Sequence, residues 1–240
     1  MATNRSLTVA ELFRVCAQYG SEGNGELAVS LYRTWLNFNG NDPLATAVHF
    51  NLGVLLTERG DFEGAAAAYS SAIRLRPDFL LPRLNMGSIS ERMGAIGEAV
   101  THWLAVVNVY ANVNGESVGH KLMALKHIGR VLEKTALETS AEDALRQAIE
   151  IRPDPDAIQH WISLRQTQCK WPVMSGISNA PRKTLFSGMS PHCLIFHTDD
   201  PMLHLARGCA YYKRKVGQPS GSLHTQLLNR PIEAGMGLKS

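Results

Sequence analysis

The densest set of side chains able to do chemistry is HCLIFHTDDPMLH, residues 192–204, which gathers His192, Cys193, His197, Asp199, Asp200 and His204. Imidazole, thiolate and carboxylate all bind zinc. A zinc site, however, needs them at helical spacing or converging on an open position. The order here fits no HExxH-type signature. TDDP reads instead as a helix start, with Asp200 as N-cap, Pro201 as first helical residue and a helix running to about Val216. No metal is therefore expected, and HCLIF is the one run that reads as a strand. Cys16, Cys169, Cys193 and Cys209 show no CxxC pairing and are expected as free thiols of a reducing compartment. The chain contains no phosphate-binding glycine loop, nucleophile elbow or dinucleotide fingerprint, so no catalytic residue is assigned.

A second kind of chemistry is recognition. Asn51 and Asn85 each precede a Leu-Gly or Met-Gly pair. A primary amide offers donors and an acceptor, so it can pair with a peptide backbone whatever the side chains. Two such amides on one face would make a short ladder for an extended chain; the plainer alternative is a pair of solvated polar residues. The corresponding places elsewhere hold Arg14 and His127, so the ladder is incomplete.

What must position these amides is a repeat. Between residues 46–77 and 80–107, Gly53 falls on Gly87, Gly60 on Gly94, Ala65 on Ala99 and Tyr69 on Trp103, each 34 residues apart. That is the tetratricopeptide period. A third unit places Gly129, Ala141, Leu145, Ala148 and Pro153 alike, starting near Leu122, and a weaker first unit places Cys16, Gly23, Ala28, Tyr32 and Trp35. Mid-helix glycine costs about 1 kcal/mol against alanine. The close approach of a paired helix would offset that cost, and Ala65, Ala99 and Ala141 serve the same contact from the other side. Tyr69 and Trp103 are expected to fill the space between neighbouring units. Gly60 and Gly94 supply turns, and Pro77 and Pro153 end second helices. Ala136 stands where a third turn glycine is expected, which predicts a longer or shifted turn. Eight extra residues near 112–119 separate the second and third units.

The fold expected is thus all-α, a tetratricopeptide-repeat superhelix with a short, partly irregular helical joint at the C-terminal end. The array spans 7–153, with units near 9–40, 46–79, 80–113 and 122–155. A capping helix and joining segment span 155–216, and a disordered tail spans 217–240. Residues 1–162 carry 14 Lys/Arg against 18 Asp/Glu, whereas 163–240 carry 10 against 3. The net charge of +3 is too small to argue for nucleic acid. MATNRSLTVAELF lacks the pattern of a secretory signal, and no apolar run approaches the roughly 18 residues that span a bilayer. A cytoplasmic protein is expected, with a protein or extended peptide as partner and neither nucleic acid nor membrane.

After the repeats come HWISLRQTQCKWPVM (160–174) and SPHCLIFHTDDPMLHLARGCAYY (190–212). This order resembles the bacterial O-linked N-acetylglucosamine transferases of the SPINDLY type, family 41-like glycosyltransferases. The resemblance rests on Leu164, Arg165, Gln166, Cys169, Trp171 and Pro172, then Ser190, Pro191, Asp199, Asp200 and Pro201, and covers roughly residues 46–216. It implies a family that moves N-acetylglucosamine from UDP-N-acetylglucosamine to Ser or Thr of proteins, with repeats that hold the acceptor through asparagines matched by Asn51 and Asn85. It also implies that 160–174 is a joint more than a cap, which would leave Trp161 and Trp171 exposed if severed. In that family the donor site and catalytic residues lie in Rossmann-like domains beginning just past LLNRPI, where this chain reads EAGMGLKS. The expectation is an acceptor-binding portion that holds no cofactor and is inactive alone, from a truncated or frame-shifted gene. The alternative is a self-sufficient tetratricopeptide adaptor.

Overall fold

The computed structural model describes residues 7–109 and 115–215. The expected tail at 217–240 and part of the 112–119 insertion lie outside the described residues. Four antiparallel helix pairs follow one another: α1 (Val9–Ser21) with α2 (Gly25–Asn39), α3 (Ala45–Glu58) with α4 (Phe62–Leu75), α5 (Leu81–Arg92) with α6 (Ile96–Val109), and α7 (Glu116–Leu132) with α8 (Glu138–Ile151). Then come α9 (Pro155–Thr167), α10 (Arg182–Gly188), α11 (Pro191–Leu194) and α12 (Pro201–Lys215).

Local chemistry sets these boundaries. Thr8 and Glu11 form a reciprocal capping box on α1, and the Asp61 carboxylate accepts from the Gly64 amide to start α4. Gly60 and Gly94 turn the chain at φ of +81° and +80°, a conformation that side chains with a Cβ resist. The fourth pair, α7 with α8, lacks that glycine, and its link widens to Glu133–Leu137. There the Thr135 hydroxyl substitutes, donating to the Leu132 carbonyl and accepting from the Leu137 amide. α7 begins at Glu116, earlier than the Leu122 start expected, because the end of the insertion winds into it as extra helix.

The glycines do the packing expected of them, with one refinement. A Cβ on Gly53 would sit 2.5 Å from the Tyr69 ring, and Cβ atoms on Gly87 and Gly129 would strike Trp103 and Leu145. Each large side chain therefore fills the notch of its own pair before it reaches the next unit. Tyr69, Trp103 and Leu145 are all essentially buried, as are Ala65, Ala99 and Ala141.

Two apolar clusters result. One joins α1 to α4 and includes Ile89; the other runs from Leu80 through α9 and on to Leu194. Trp161, expected to be exposed beside Trp171, is instead fully buried in the second cluster, while Trp171 is 72% exposed. Residues 173–194 fold over α9 and bury Val173, Ile177, Ala180, Leu185 and Met189 there. HCLIF is not a strand: Ser190 caps Cys193 and the chain enters the short α11. Among the described residues the only β pairing is a lone bridge between Ile177 and Ala180.

Candidate functional site

The stack has an inner and an outer face. From the second unit on, first helices of successive units touch one another, α3 with α5, α5 with α7 and α7 with α9, whereas α2 and α4, or α6 and α8, make at most glancing contact. A stack whose first helices meet while its second helices splay must curve towards the first helices. The concave face is therefore lined by α1, α3, α5, α7 and α9.

Asn85 lies on that side and is half-buried; its amide donates to the Tyr69 hydroxyl at 3.1 Å. Its register-mate in the next unit, His127, stacks on Trp103 with ring centroids 5.0 Å apart and planes 14° from parallel. In both cases the residue two places before the notch glycine touches the aromatic knob of the preceding unit. The position therefore couples repeats, whatever else it does. One donor and the acceptor oxygen of Asn85 are left over from that bond. Asn51 is half-buried and makes no side-chain hydrogen bond among the described residues.

Below His127 the face deepens into a hollow of about 410 Å³ between α7 and α9, lined by Met123, Lys126, His127, Arg130, Asp156 and His160. Its charges are matched. Arg130 grips the Glu91 carboxylate with two hydrogen bonds of 2.8 and 2.6 Å, Lys126 lies 2.7 Å from Asp154, and His160 Nδ1 lies 2.6 Å from Glu133. The Arg130 hydrogen bonds hold the Glu91 carboxyl below the usual carboxylate range and raise Arg130. Burial, helped by the Arg130 charge, pushes His127 below its ordinary value, so the ring is neutral at pH 7. A neutral, donor-rich hollow of this kind suits a polar, extended chain. It holds no nucleophile with a base beside it. The repeat register singles out Asn51 and Asn85, with His127 at the same place in the next unit, but not Lys126, Arg130 or His160. The recurrence of Met123, Lys126, His127 and Arg130 along one helical face was the signal available.

The 192–204 residues do not converge. His192 meets the Phe196 ring edge-on, His197 shares a hydrogen bond with Gln166, and His204 Nε2 bonds the Thr198 carbonyl. Asp200 accepts from the Met202 and Leu203 amides and starts α12 at Pro201. Among the described residues no three His, Cys, Asp or Glu side chains are grouped to hold a metal. The other matched segment is occupied too. Arg165 donates to the Pro172 and Val173 carbonyls, pairs with Glu142 and lies over the Trp161 ring.

Residues 46–79 match the family model of the tetratricopeptide repeat. The fold is a tetratricopeptide-type α-solenoid, and solved structures agree with it. A tetratricopeptide repeat protein from Parabacteroides merdae superposes with a TM-score of 0.60 at 16% identity, covering 85% of this chain and 73% of its own. PilF of Pseudomonas aeruginosa gives 0.58 at 15% identity over 91% of this chain and 95% of its own. BtubC from P. vanneervenii gives 0.59 at 17% identity over 69% and 74%. No curated protein matches the chain in a sequence comparison. Among the described residues no helix is long and apolar enough to cross a membrane.

Proposed function

We propose that this chain is a protein-binding scaffold, an adaptor that takes an extended segment of a partner protein along its concave face. The observation that carries the reading is the run of half-buried polar side chains on first helices, Asn51, Asn85 and His127, leading into the hollow beside α9. Such groups pair with backbone amides and carbonyls independently of the partner's sequence. Asn51 and Asn85 are the residues assigned to the peptide. The test is to pan a library of short unstructured peptides against the whole chain. Replacing both asparagines by alanine is expected to weaken the recovered peptides about thirtyfold, since each amide hydrogen bond contributes about 1 kcal/mol. Helicity by circular dichroism should hold. Unchanged affinity would return the two amides to solvated surface residues.

The second reading is the acceptor-binding portion of a protein O-N-acetylglucosamine transferase. It is favoured by the two segments at 160–174 and 190–201. Those residues also have sufficient local reasons to be where they are: Ser190 and Asp200 cap helices, Pro191 and Pro201 follow as first helical residues, and Arg165 ties down the 169–173 bend. The adaptor reading is therefore preferred. On either reading this chain alone is expected to give no transfer from UDP-N-acetylglucosamine. Measured turnover would overturn both, and a downstream reading frame encoding a sugar-nucleotide domain would revive the second.

A further inference from the structure

α12 is turned the wrong way round for a helix that serves only its own chain. Leu203, His204, Arg207 and Tyr211 are half-buried and face the body, whereas Met202, Leu205, Cys209 and Tyr212 face outwards. On the inner side His204 Nε2 bonds the Thr198 carbonyl, and Arg207 Nε is buried with no hydrogen-bond partner. On the outer side Met202 is 70% exposed, Leu205 63% and Tyr212 46%, and Cys209 is exposed as well. A surface helix ordinarily turns its apolar stripe to the core and its polar residues to water. Here the helix packs chiefly on the four-residue α11, and the stripe is left open.

Spacing and charge together say what covers it. The stripe residues recur at intervals of three, four and three, the spacing of a two-helix seam. Charges of opposite sign stand at its two ends. Asp199 and Asp200 are exposed at the N-terminal end and Lys213 at the C-terminal end. Arg207, the only Asp, Glu, Lys or Arg between residues 201 and 212, is turned inwards. Among the described residues Asp199 and Lys213 take part in no ion pair. A surface of one sign, such as an anionic lipid face, attracts one end of this stripe and repels the other. A second α12 running antiparallel matches both ends.

We propose that α12 pairs antiparallel with α12 of a second copy of this chain, about a two-fold axis level with residue 207. In that register Met202 lies against Tyr212 of the second copy, a thioether on an aromatic ring. Leu205 lies against Cys209 of the second copy, a large side chain over a small one. Lys213 stands beside Asp199 and Asp200 of the second copy, and symmetry makes this contact twice. Both copies use the same surface, so association closes at two. One pair of roughly four-turn helices is a small interface, and the dimer is expected to dissociate in the micromolar range. The inference is independent of peptide binding on the concave face.

Sedimentation of the full chain under reducing conditions is expected to show monomer and dimer and nothing larger. Leu205→Glu should abolish the dimer and leave the circular dichroism spectrum unchanged, because that side chain is exposed. Lys213→Glu and Asp199→Lys should each weaken the dimer about fivefold or more, since two exposed ion pairs are lost at once, and the chain carrying both changes should recover. Leu205→Cys under mild oxidation should give a covalent dimer whose disulfide joins position 205 of one copy to Cys209 of the other. The parent should link far more slowly, because its two Cys209 residues are offset by about 6 Å along the helices. A parent that links readily through Cys209 pairs its helices in parallel, which would overturn the proposal. So would a chain that stays monomeric at high micromolar concentration, a dimer that survives Leu205→Glu, or charge reversals that fail to rescue one another.

Discussion

Trp103 and His127 lie stacked, ring on ring, across the boundary between the second and third full repeats. The imidazole is desolvated there, and Arg130 and Lys126 add positive charge that Glu91 only partly offsets. Its folded-state pKa is lowered, so in the window below the unfolded value of about 6.5 the unfolded chain binds the proton more readily. The stability this site contributes is complete above that value and is lost as pH falls through it. Burial lowers His49, His102 and His197 in the same direction. The melting temperature is expected to fall between pH 7.5 and pH 5.5, and His127→Gln should flatten part of that slope. A melting temperature flat over this range would contradict the assignment.

The notch glycines predict opposite outcomes for one kind of substitution. Gly53→Ala would drive a methyl into the Tyr69 ring. Overpacking of this kind costs roughly 1–3 kcal/mol, more than the helix-propensity gain returns. Gly119→Ala, in α7 with nothing within 4 Å of its new Cβ, should stabilise by about 0.5–1 kcal/mol. Urea midpoints for the two variants should move in opposite directions.

That contrast also marks what was legible in the sequence. Gly53, Gly87 and Gly129 repeat with a large residue 16 places on, and steric matching of that sort is local and periodic, so it is readable. Trp161 is different. Whether an indole is covered depends on residues 173–194 folding back over α9, which no period encodes. The concave polar network is illegible in the sequence for a related reason. The partners of Arg130 and His160 lie 39 and 27 residues away, beyond any local pattern. HCLIF departs from the strand expected because a short apolar run does not distinguish strand from helix, and Ser190-Pro191 is the decisive signal.

The Asn85–Tyr69 bond makes a claim that separates coupling between repeats from peptide binding. Tyr69→Phe removes the hydroxyl that accepts from Asn85 and approaches Thr57 at 3.4 Å, but leaves the ring in its notch. It should cost about 1 kcal/mol of stability. Asn85→Ala in the Tyr69→Phe background should then cost less than in the parent. The shortfall in this double-mutant cycle measures the bond. Additive costs would mean that the amide does not hold the hydroxyl in solution.

Glu142 is the pivot between the repeats and the folded-over segment. Its carboxylate takes the Lys170 ammonium at 2.5 Å and also pairs with Arg165, whose side chain is 12% exposed and whose guanidinium reaches the Pro172 and Val173 carbonyls. Burial opposes its ionisation, yet the Lys170 and Arg165 hydrogen bonds outweigh burial and hold its pKa below the usual range. Glu142→Ala would leave Arg165 largely buried without its counter-charge, a change that costs on the order of 3 kcal/mol. Arg165 is still held by two carbonyls, so the loss should appear first at the bend and not in the repeats. Limited proteolysis is expected to cut near Lys170 in the variant while α3–α8 stay protected. Arg165→Met in the Glu142→Ala background should recover part of the stability, because the orphaned charge is gone. If the single variant melts like the parent and resists cleavage, the anchoring of residues 169–173 lies in the buried Val173 and Ile177 and not in this charge cluster.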